Sequence, residues 1–287
     1  MNVMLIKIKK AISWLKYNPN LFIKHLIIQI KKFTPLPKSI TLKKINGVLF
    51  EFDFNYDAAI KSMYTGGYEM DIVDVMKKVL KEGDTFIDVG ANIGYISSVA
   101  AGFVGKTGEV HSFEPVPEYF YRLKNMADLN SDYKIKVNQC ALGEKCGQEN
   151  IKISNLNNIG WNTMVPNFLK DGKKVKEILK IPVIRLDKYI KDKALMNISL
   201  IKIDVEGFEF PVLMGLSDYF IESKHRPIII CEINPFACSL LGYELGGLSD
   251  FMNSYGYSAY NLLNLNIKLD ITKFKETTDV VFISYKR

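Results

Sequence analysis

Acidic residues are missing from the first 44 positions, which hold ten lysines and no Asp, Glu or Arg. That stretch carries +10, which leaves 28 of the 38 basic residues to face all 31 acidic ones, a net −3 for the remainder. The overall excess of +7 therefore belongs to an N-terminal extension. A body with that balance does not suit a polyanion, so nucleic acid is not an expected partner. Cysteine is scarce as well: four in 287 residues, none in a CxxC pair and none grouped with histidine at zinc spacing. Structural zinc is not expected, and the thiols read as reduced and cytoplasmic. Long apolar runs are also lacking. Lysines interrupt every apolar stretch of residues 1–33, so none approaches the roughly 20 residues of a membrane span. No apolar core with a small-residue cleavage site follows, which argues against a secretory leader.

What is present is an ordinary globular composition, 48% hydrophobic and 24% charged. It excludes a collagen-like or wholly disordered chain and leaves room for one or two domains. The extension reads as two short helices broken near Pro19. Lysine beside Trp14, Phe22 and Leu/Ile suits a helix lying on an anionic membrane through residues 1–33. The alternative is packing on the body or on a second subunit, as in a homo-oligomer. Packing is preferred, because apolar residues occur nearly all round and not on one stripe.

Pro35 and Pro37 mark a linker. TLKKI-NG-VLFEFDF then predicts a β-hairpin, with Asn46-Gly47 as a type I′ turn. Met70, Val73, Met76, Val79 and Leu80 predict a helix over 69–81. Strands at 85–90 and 109–114 alternate with helices at about 92–104 and 117–130. A third strand, 134–142, follows, and then an irregular stretch. A fourth strand, 199–205, leads to a helix over 209–220, and a fifth, 227–233, to a helix near 247–255. Two final strands, 257–263 and 279–284, are separated by a loop and pair antiparallel, at or near a sheet edge. Such alternation predicts an α/β fold built from right-handed βαβ units on a mostly parallel sheet.

The sharpest local signal is Asp88-Val89-Gly90-Ala91-Asn92-Ile93-Gly94, where the first strand turns into a helix. Glycines there allow a sharp turn and close approach of a ligand to the backbone. Glu114 ends the next strand, where a carboxylate can accept both hydroxyls of a ribose. A dinucleotide fingerprint would have glycine at the position of Asn92 to admit a pyrophosphate. The spacing disfavours a nicotinamide cofactor and suits one without phosphates, S-adenosylmethionine.

These residues carry a resemblance. GGYE (66–69), GDTFIDVGANIGYIS (83–97), HSFEPVPEYF (111–120), CALGEKCG (140–147), NNIGWNT (157–163), VIRLDKYI (183–190) and IKIDVEGFE (201–209) resemble the FkbM family of class I S-adenosylmethionine-dependent methyltransferases. The resemblance implies a Rossmann-like seven-stranded sheet with one reversed strand and helices on both faces. The resemblance covers about residues 60–233, and the chain is expected to divide into a basic helical extension, 1–44, and a methyltransferase domain, 45–287. It also implies methyl transfer, usually to oxygen, on hydroxyls of sugars or polyketide-type metabolites. By motif position, Asp88, Gly90, Asn92 and Gly94 would line the methionine side of the cofactor. Glu114 would hold the ribose, and Ala141 and Leu142 would lie near the adenine. Glu69 either reaches the cofactor or is simply an acid at a helix start.

Methylating an alcohol calls for alignment and for a base. Asp204 and Glu206 leave the fourth strand two residues apart, on one side of it, and Lys202 on that side can neutralise one of them. Glu232 ends the fifth strand as a further acid. His225, in a loop, is a weaker base candidate. Asn158, Gly160, Trp161 and Thr163 form a loop that can cover a small-molecule or glycan acceptor, with Trp161 suited to a sugar face. Asp204, Glu206 and Glu232 could also hold a divalent cation, but metal-free catalysis is the expectation. The competing readings are a nicotinamide-dependent oxidoreductase and a non-catalytic membrane-surface protein on the same fold. A cytoplasmic location is expected, peripheral at the inner face of a membrane if the extension binds lipid.

Overall fold

The computed structural model describes residues 11–31, 36–37, 39–57, 59–154, 161–169 and 175–285. The first described elements are helices α1 (residues 11–17) and α2 (Pro19–Lys31). A hairpin follows, β1 (Thr41–Ile45) and β2 (Val48–Phe52), paired antiparallel. Asn46 and Gly47 have φ of 50° and 92°, the left-handed pair that a type I′ turn demands. Helices α3 (Ala59–Thr65) and α4 (Met70–Val79) lead to β3 (Thr85–Val89), α5 (Tyr95–Val104), β4 (Glu109–Phe113), α6 (Pro117–Asp128) and β5 (Lys134–Asn138). Then come β6 (Ala141–Leu142), β7 (Gly147–Ser154), β8 (Val175–Ile184), α7 (Leu186–Asp192) and β9 (Ile198–Ile203). The remainder is α8 (Glu209–Met214), α9 (Ser217–Glu222), β10 (Ile228–Ile233), α10 (Pro235–Leu240), α11 (Leu245–Ser254), β11 (Tyr257–Asn261), β12 (Asn264–Lys268) and β13 (Thr278–Ser284).

The main sheet has eight strands in the order β12-β11-β13-β10-β9-β3-β4-β5. From β10 to β5 every pairing is parallel, while β13 runs antiparallel to both β10 and β11. All five residues of β3 are buried, as expected of a central strand covered on both faces. One face packs Ile87, Ile201, Ile203 and Ile229 against α7 to α11. The other packs Phe86, Val110, Leu200 and Ile230 against β2, α3, α4 and α5. This is the expected Rossmann-like α/β architecture, with one strand more than seven.

The extra strand is β12, in the stretch read as a loop. The Asn261 side chain accepts from the N–H groups of Leu263 (2.9 Å) and Asn264 (3.1 Å), which turns the chain at Leu262-Leu263 without glycine. Two strands are reversed where one was expected: β13 lies inside the sheet, because β11 passes beyond it to pair on its far side, and β12, antiparallel to β11, ends the sheet. The strand expected over 134–142 is two strands. Its first part pairs with β4, and Ala141-Leu142 instead joins β8 in a three-stranded sheet with β7. That small sheet occupies part of the stretch read as irregular. The helix expected over 209–220 breaks between α8 and α9. There Gly215 crosses Gly143 so closely that a Cβ would stand 2.3 Å from the Gly143 carbonyl oxygen.

Among the described residues, the extension lies against the body. Trp14, Leu21 and Ile28 form a buried cluster with Met70 of α4. The Trp14 indole N–H donates to Asp71 (2.6 Å) and the Asn18 amide to Asp74 (2.8 Å). Replacing Trp14 by Phe keeps most of the apolar burial and removes a donor from the buried Asp71 carboxylate. Urea denaturation should register a loss of about 1–3 kcal/mol.

Candidate functional site

Strand alternation puts a polar row on the α4–α5 side of the sheet. Ser112, Asp88, Lys202 and Ile230 are in-register neighbours across β4, β3, β9 and β10. Two positions further along the same strands stand Glu114, Gly90, Asp204 and Glu232, at the carboxyl edge where ligands of such sheets bind. Glu232 pairs with Asp279 of β13. Lys202 is buried, with its ammonium 3.0 Å from Asp204 and 3.9 Å from Asp88.

The turn after β3 is fixed by its neighbours. Gly90 and Ala91 both donate to the Phe113 carbonyl (3.1 and 2.9 Å), and Asp204 N donates to Val89 O (3.1 Å). Gly90 has φ 81°, and a Cβ on it would lie 1.9 Å from the Asp204 carbonyl oxygen. The close approach is therefore to the chain's own backbone, not to a ligand as the sequence suggested. Gly94 is likewise set by packing: its Cβ would meet Leu123 and Met126 of α6 at 2.8 and 2.9 Å. Asn92 is left-handed at φ 52°, and its side-chain oxygen accepts from Ile93 N (2.7 Å). Asparagine tolerates that conformation best after glycine. Glu114 closes the turn, taking the N–H of Asn92 (2.9 Å) on one oxygen and of Val116 (2.8 Å) on the other.

Above this turn is a cleft of about 920 Å³, the open solvent at its mouth included. It is lined by Glu69, Gly90, Asn92, Glu114, Ala141, Leu142, Asp204 and Glu206, eight of the residues singled out in the sequence. Asp88 and Gly94 lie outside the lining. Asp88 is fully buried behind it, accepting from the Ser97 hydroxyl (2.6 Å). Glu232 is also outside the lining. Its carboxylate lies with those of Asp204 and Glu209, each offering one oxygen within 4.8 Å of the others. The acids that converge are thus not the trio suggested for a cation, since Glu209 stands where Glu206 was expected.

Thr163 does not face an acceptor: it is buried and its hydroxyl donates to the Glu206 carbonyl (2.7 Å). Trp161 is 43% exposed and outside the lining, although its neighbour Asn162 is part of it. His225 is at the wrong end of the sheet. It precedes β10 and contacts the carbonyl of Ile198, where β9 begins (2.6 Å). A residue entering a parallel strand lies at the amino edge, opposite the cleft. Asn158 and Gly160 lie outside the described residues. Sequence reasoning missed Tyr68, Tyr95, Tyr119 and Met164 in the lining. Tyr68 and Tyr119 each sit beside a charged residue of a recognised motif, a signal that was available.

Burial dominates the electrostatics. Glu114 and Glu209 are each pushed up to about 7 by desolvation, against which their backbone hydrogen bonds work. Glu206 and Glu232 are raised by burial first and then by neighbouring carboxylates, Asp204 foremost. Burial also raises the Tyr68 hydroxyl. Backbone strain gathers at the same place: Glu69, Asn92 and Glu206 have φ of 47°, 52° and 54°. Left-handed glutamates are uncommon, and such strain concentrates at functional sites.

The family profile described as "Methyltransferase FkbM domain" matches residues 88–259, from the glycine turn to β11. The chain belongs to the FkbM methyltransferase family. Among relatives of this FkbM member is the 31-O-demethyl-FK506 methyltransferase FkbM of Streptomyces tacrolimicus, 30% identical over 48% of this chain and 62% of that protein. A second is the protein-L-isoaspartate O-methyltransferase of Methanococcus aeolicus, 28% identical over 50% of this chain and 66% of the other. The chain thus spans just under two thirds of the length of either curated relative. A methyltransferase FkbM from Methylobacillus flagellatus, known as a crystal structure, is 17% identical with a TM-score of 0.43, over 78% of this chain and 54% of that one.

The residues fit the cofactor that the FkbM resemblance implies. A buried carboxylate at the end of β4 can accept ribose hydroxyls, Ala141 and Leu142 offer an apolar border for adenine, and the acidic wall suits a sulfonium and an ammonium group.

Two outcomes are expected for the FkbM site. Glu209 takes the N–H groups of Val205 and Gly207 on a single oxygen (both 3.0 Å), so Glu209→Gln keeps both bonds and removes the charge. Folding lifts this carboxyl from its ordinary 4.5 to about 7, so the folded state holds the proton more tightly. Its contribution is intact below about 4.5 and is lost as pH rises through 7. Urea midpoints measured from pH 5 to 8 should fall less steeply in Glu209→Gln than in the wild type. Separately, Glu206→Gly should raise stability by about 1 kcal/mol in thermal unfolding by relieving left-handed strain.

Proposed function

We propose that this chain is an S-adenosylmethionine-dependent methyltransferase acting on oxygen, its acceptor a hydroxyl of a sugar, polysaccharide or related small metabolite. One observation carries the reading: Asp204 and Glu206 line the same cleft as the glycine turn, Asn92 and Glu114. Acids for an acceptor hydroxyl thus border residues suited to the cofactor. Oxygen is supported by the relatives' names, one an O-methyltransferase and the other a methyltransferase of a demethylated oxygen. A body of net −3 favours a neutral or small acceptor over a polyanion.

S-adenosylmethionine, when bound, supplies a methyl group on a positively charged sulfur, so the protein's share of the reaction is alignment and proton removal. Gly90 and Asn92 would border the cofactor's methionine side, Glu114 would hold the ribose, and Ala141 and Leu142 would flank the adenine. Asp204 is oriented by Lys202 at 3.0 Å. Glu206 is oriented through its backbone, where Thr163 holds the carbonyl at 2.7 Å. With the cofactor bound, one of these two carboxylates would take the acceptor hydroxyl's proton. A cationic ligand beside Glu206 would favour its charged form, offsetting the upward push that burial gives it.

The test is transfer of a labelled methyl group to fractionated polysaccharide, lipid and metabolite pools, together with calorimetry of cofactor binding. Asp204→Asn and Glu206→Gln should both bind cofactor, and the one that removes the base should lose about 10²–10⁴-fold in turnover. Unchanged turnover in both variants would make the two acids structural. Loss of activity with chelator and recovery with magnesium would assign the acid cluster to a metal. Failure to bind S-adenosylmethionine would overturn the reading. Glu114→Ala should weaken cofactor binding by about 1–3 kcal/mol.

A further inference from the structure

Helix α2 carries two apolar stripes on opposite sides. Leu21 and Ile28 are buried, with His25 between them, and they fix the helix to α4. Ile23, Leu26, Ile27 and Ile30 follow the spacing of a second stripe, at i, i+3, i+4 and i+7. They are 54%, 47%, 48% and 69% exposed. Ile12 and Leu15 of α1 are exposed too, three residues apart on their helix. A run of large aliphatic side chains facing water marks an interaction site.

We propose that α1 and α2 dock this protein on an anionic membrane surface, the outer stripe of α2 lying in the interface with Lys16 and Lys24 against acidic headgroups. Charge selects the occupant. Residues 1–44 hold ten lysines and no acid. A second copy would bring one +10 segment against another, whereas an anionic bilayer attracts each lysine near its surface by about 1 kcal/mol. A lipid-facing helix also needs no partner with a matching groove. No helix among the described residues is long and apolar enough to cross a membrane, so the contact is peripheral. The inner stripe ties the docked helix to the cleft. Ile28 lies against Gly67, where a Cβ would meet its side chain at 3.0 Å, and the next two residues, Tyr68 and Glu69, line the cleft. A membrane-bound α2 therefore stands directly behind one wall of the site.

The experiment is co-sedimentation of the full chain with phosphatidylglycerol-containing vesicles and with pure phosphatidylcholine vesicles. Binding to the acidic vesicles alone, weakened by salt, is the expected result. The double variant Ile23→Gln/Ile27→Gln changes only exposed positions, so its melting temperature should hold while vesicle affinity falls about tenfold or more. Lys24→Glu, which leaves the stripe intact, should also weaken binding, and only to acidic vesicles. Equal binding by wild type and the double variant would overturn the proposal, as would no binding to acidic vesicles. A wild-type dimer in sedimentation equilibrium that the double variant dissolves would assign the stripe to a second copy and overturn it as well.

Discussion

At the carboxyl edge of β9 a single buried ammonium, that of Lys202, stands 3.0 Å from Asp204 and 3.9 Å from Asp88, both on neighbouring positions of one sheet face. Without it, the buried Asp88 carboxylate would face the partly exposed Asp204 with no ammonium between them. Removing one partner from such a group leaves an uncompensated buried charge, which costs several kcal/mol. The ammonium lets the chain keep an acidic wall at this edge, and it fixes Asp204 in place. The wall remains under-neutralised: Glu206 and Glu232 are pushed towards their neutral forms by burial and by the charges around them.

Backbone close packing sets the geometry of the same site. Gly90 is pressed against the Asp204 carbonyl, so the turn after β3 and the end of β9 form one unit. The turn places Asn92 and, through it, Glu114; the end of β9 places Asp204 and Glu206. Neither half can shift without the other, which keeps Asn92 and Glu114 in fixed relation to Asp204 and Glu206. Alignment is what methyl transfer asks of a protein, and rigid strands and mutual backbone contacts supply it.

The N-terminal helices obey a different logic. Their apolar residues are too many for one face: the fold buries Trp14, Leu21 and Ile28 against Met70 of α4 and leaves Ile12, Leu15, Ile23, Leu26, Ile27 and Ile30 exposed. The exposed residues share these helices with Lys16 and Lys24, within a stretch of ten lysines and no acid. Stability alone would not ask for that outer stripe, because the inner one already anchors the helix.

Much of the architecture was legible in the sequence. The Asn46-Gly47 hairpin, the strand–helix alternation, the DVGANIG turn and the acid ending β4 follow from local chemistry: turn residues that accept positive φ, period-two and period-3.6 patterns, and the register of a parallel sheet. Other features depend on distant segments. The split of 134–142 arises because β8, some 40 residues later, captures Ala141-Leu142. The hairpin ending in β12 rests on an asparagine side chain bonding its own backbone, with no glycine to announce it. Thr163 was read as an acceptor contact, yet it holds Glu206 by a bond across 43 residues. His225 looked like a base until strand direction put it at the opposite edge. Sequence by itself determined which residues can make turns, strands and an acidic edge. Only the tertiary structure decided which carboxylates share a cleft, because burial and proximity between residues far apart in the chain exist only once the sheet is assembled.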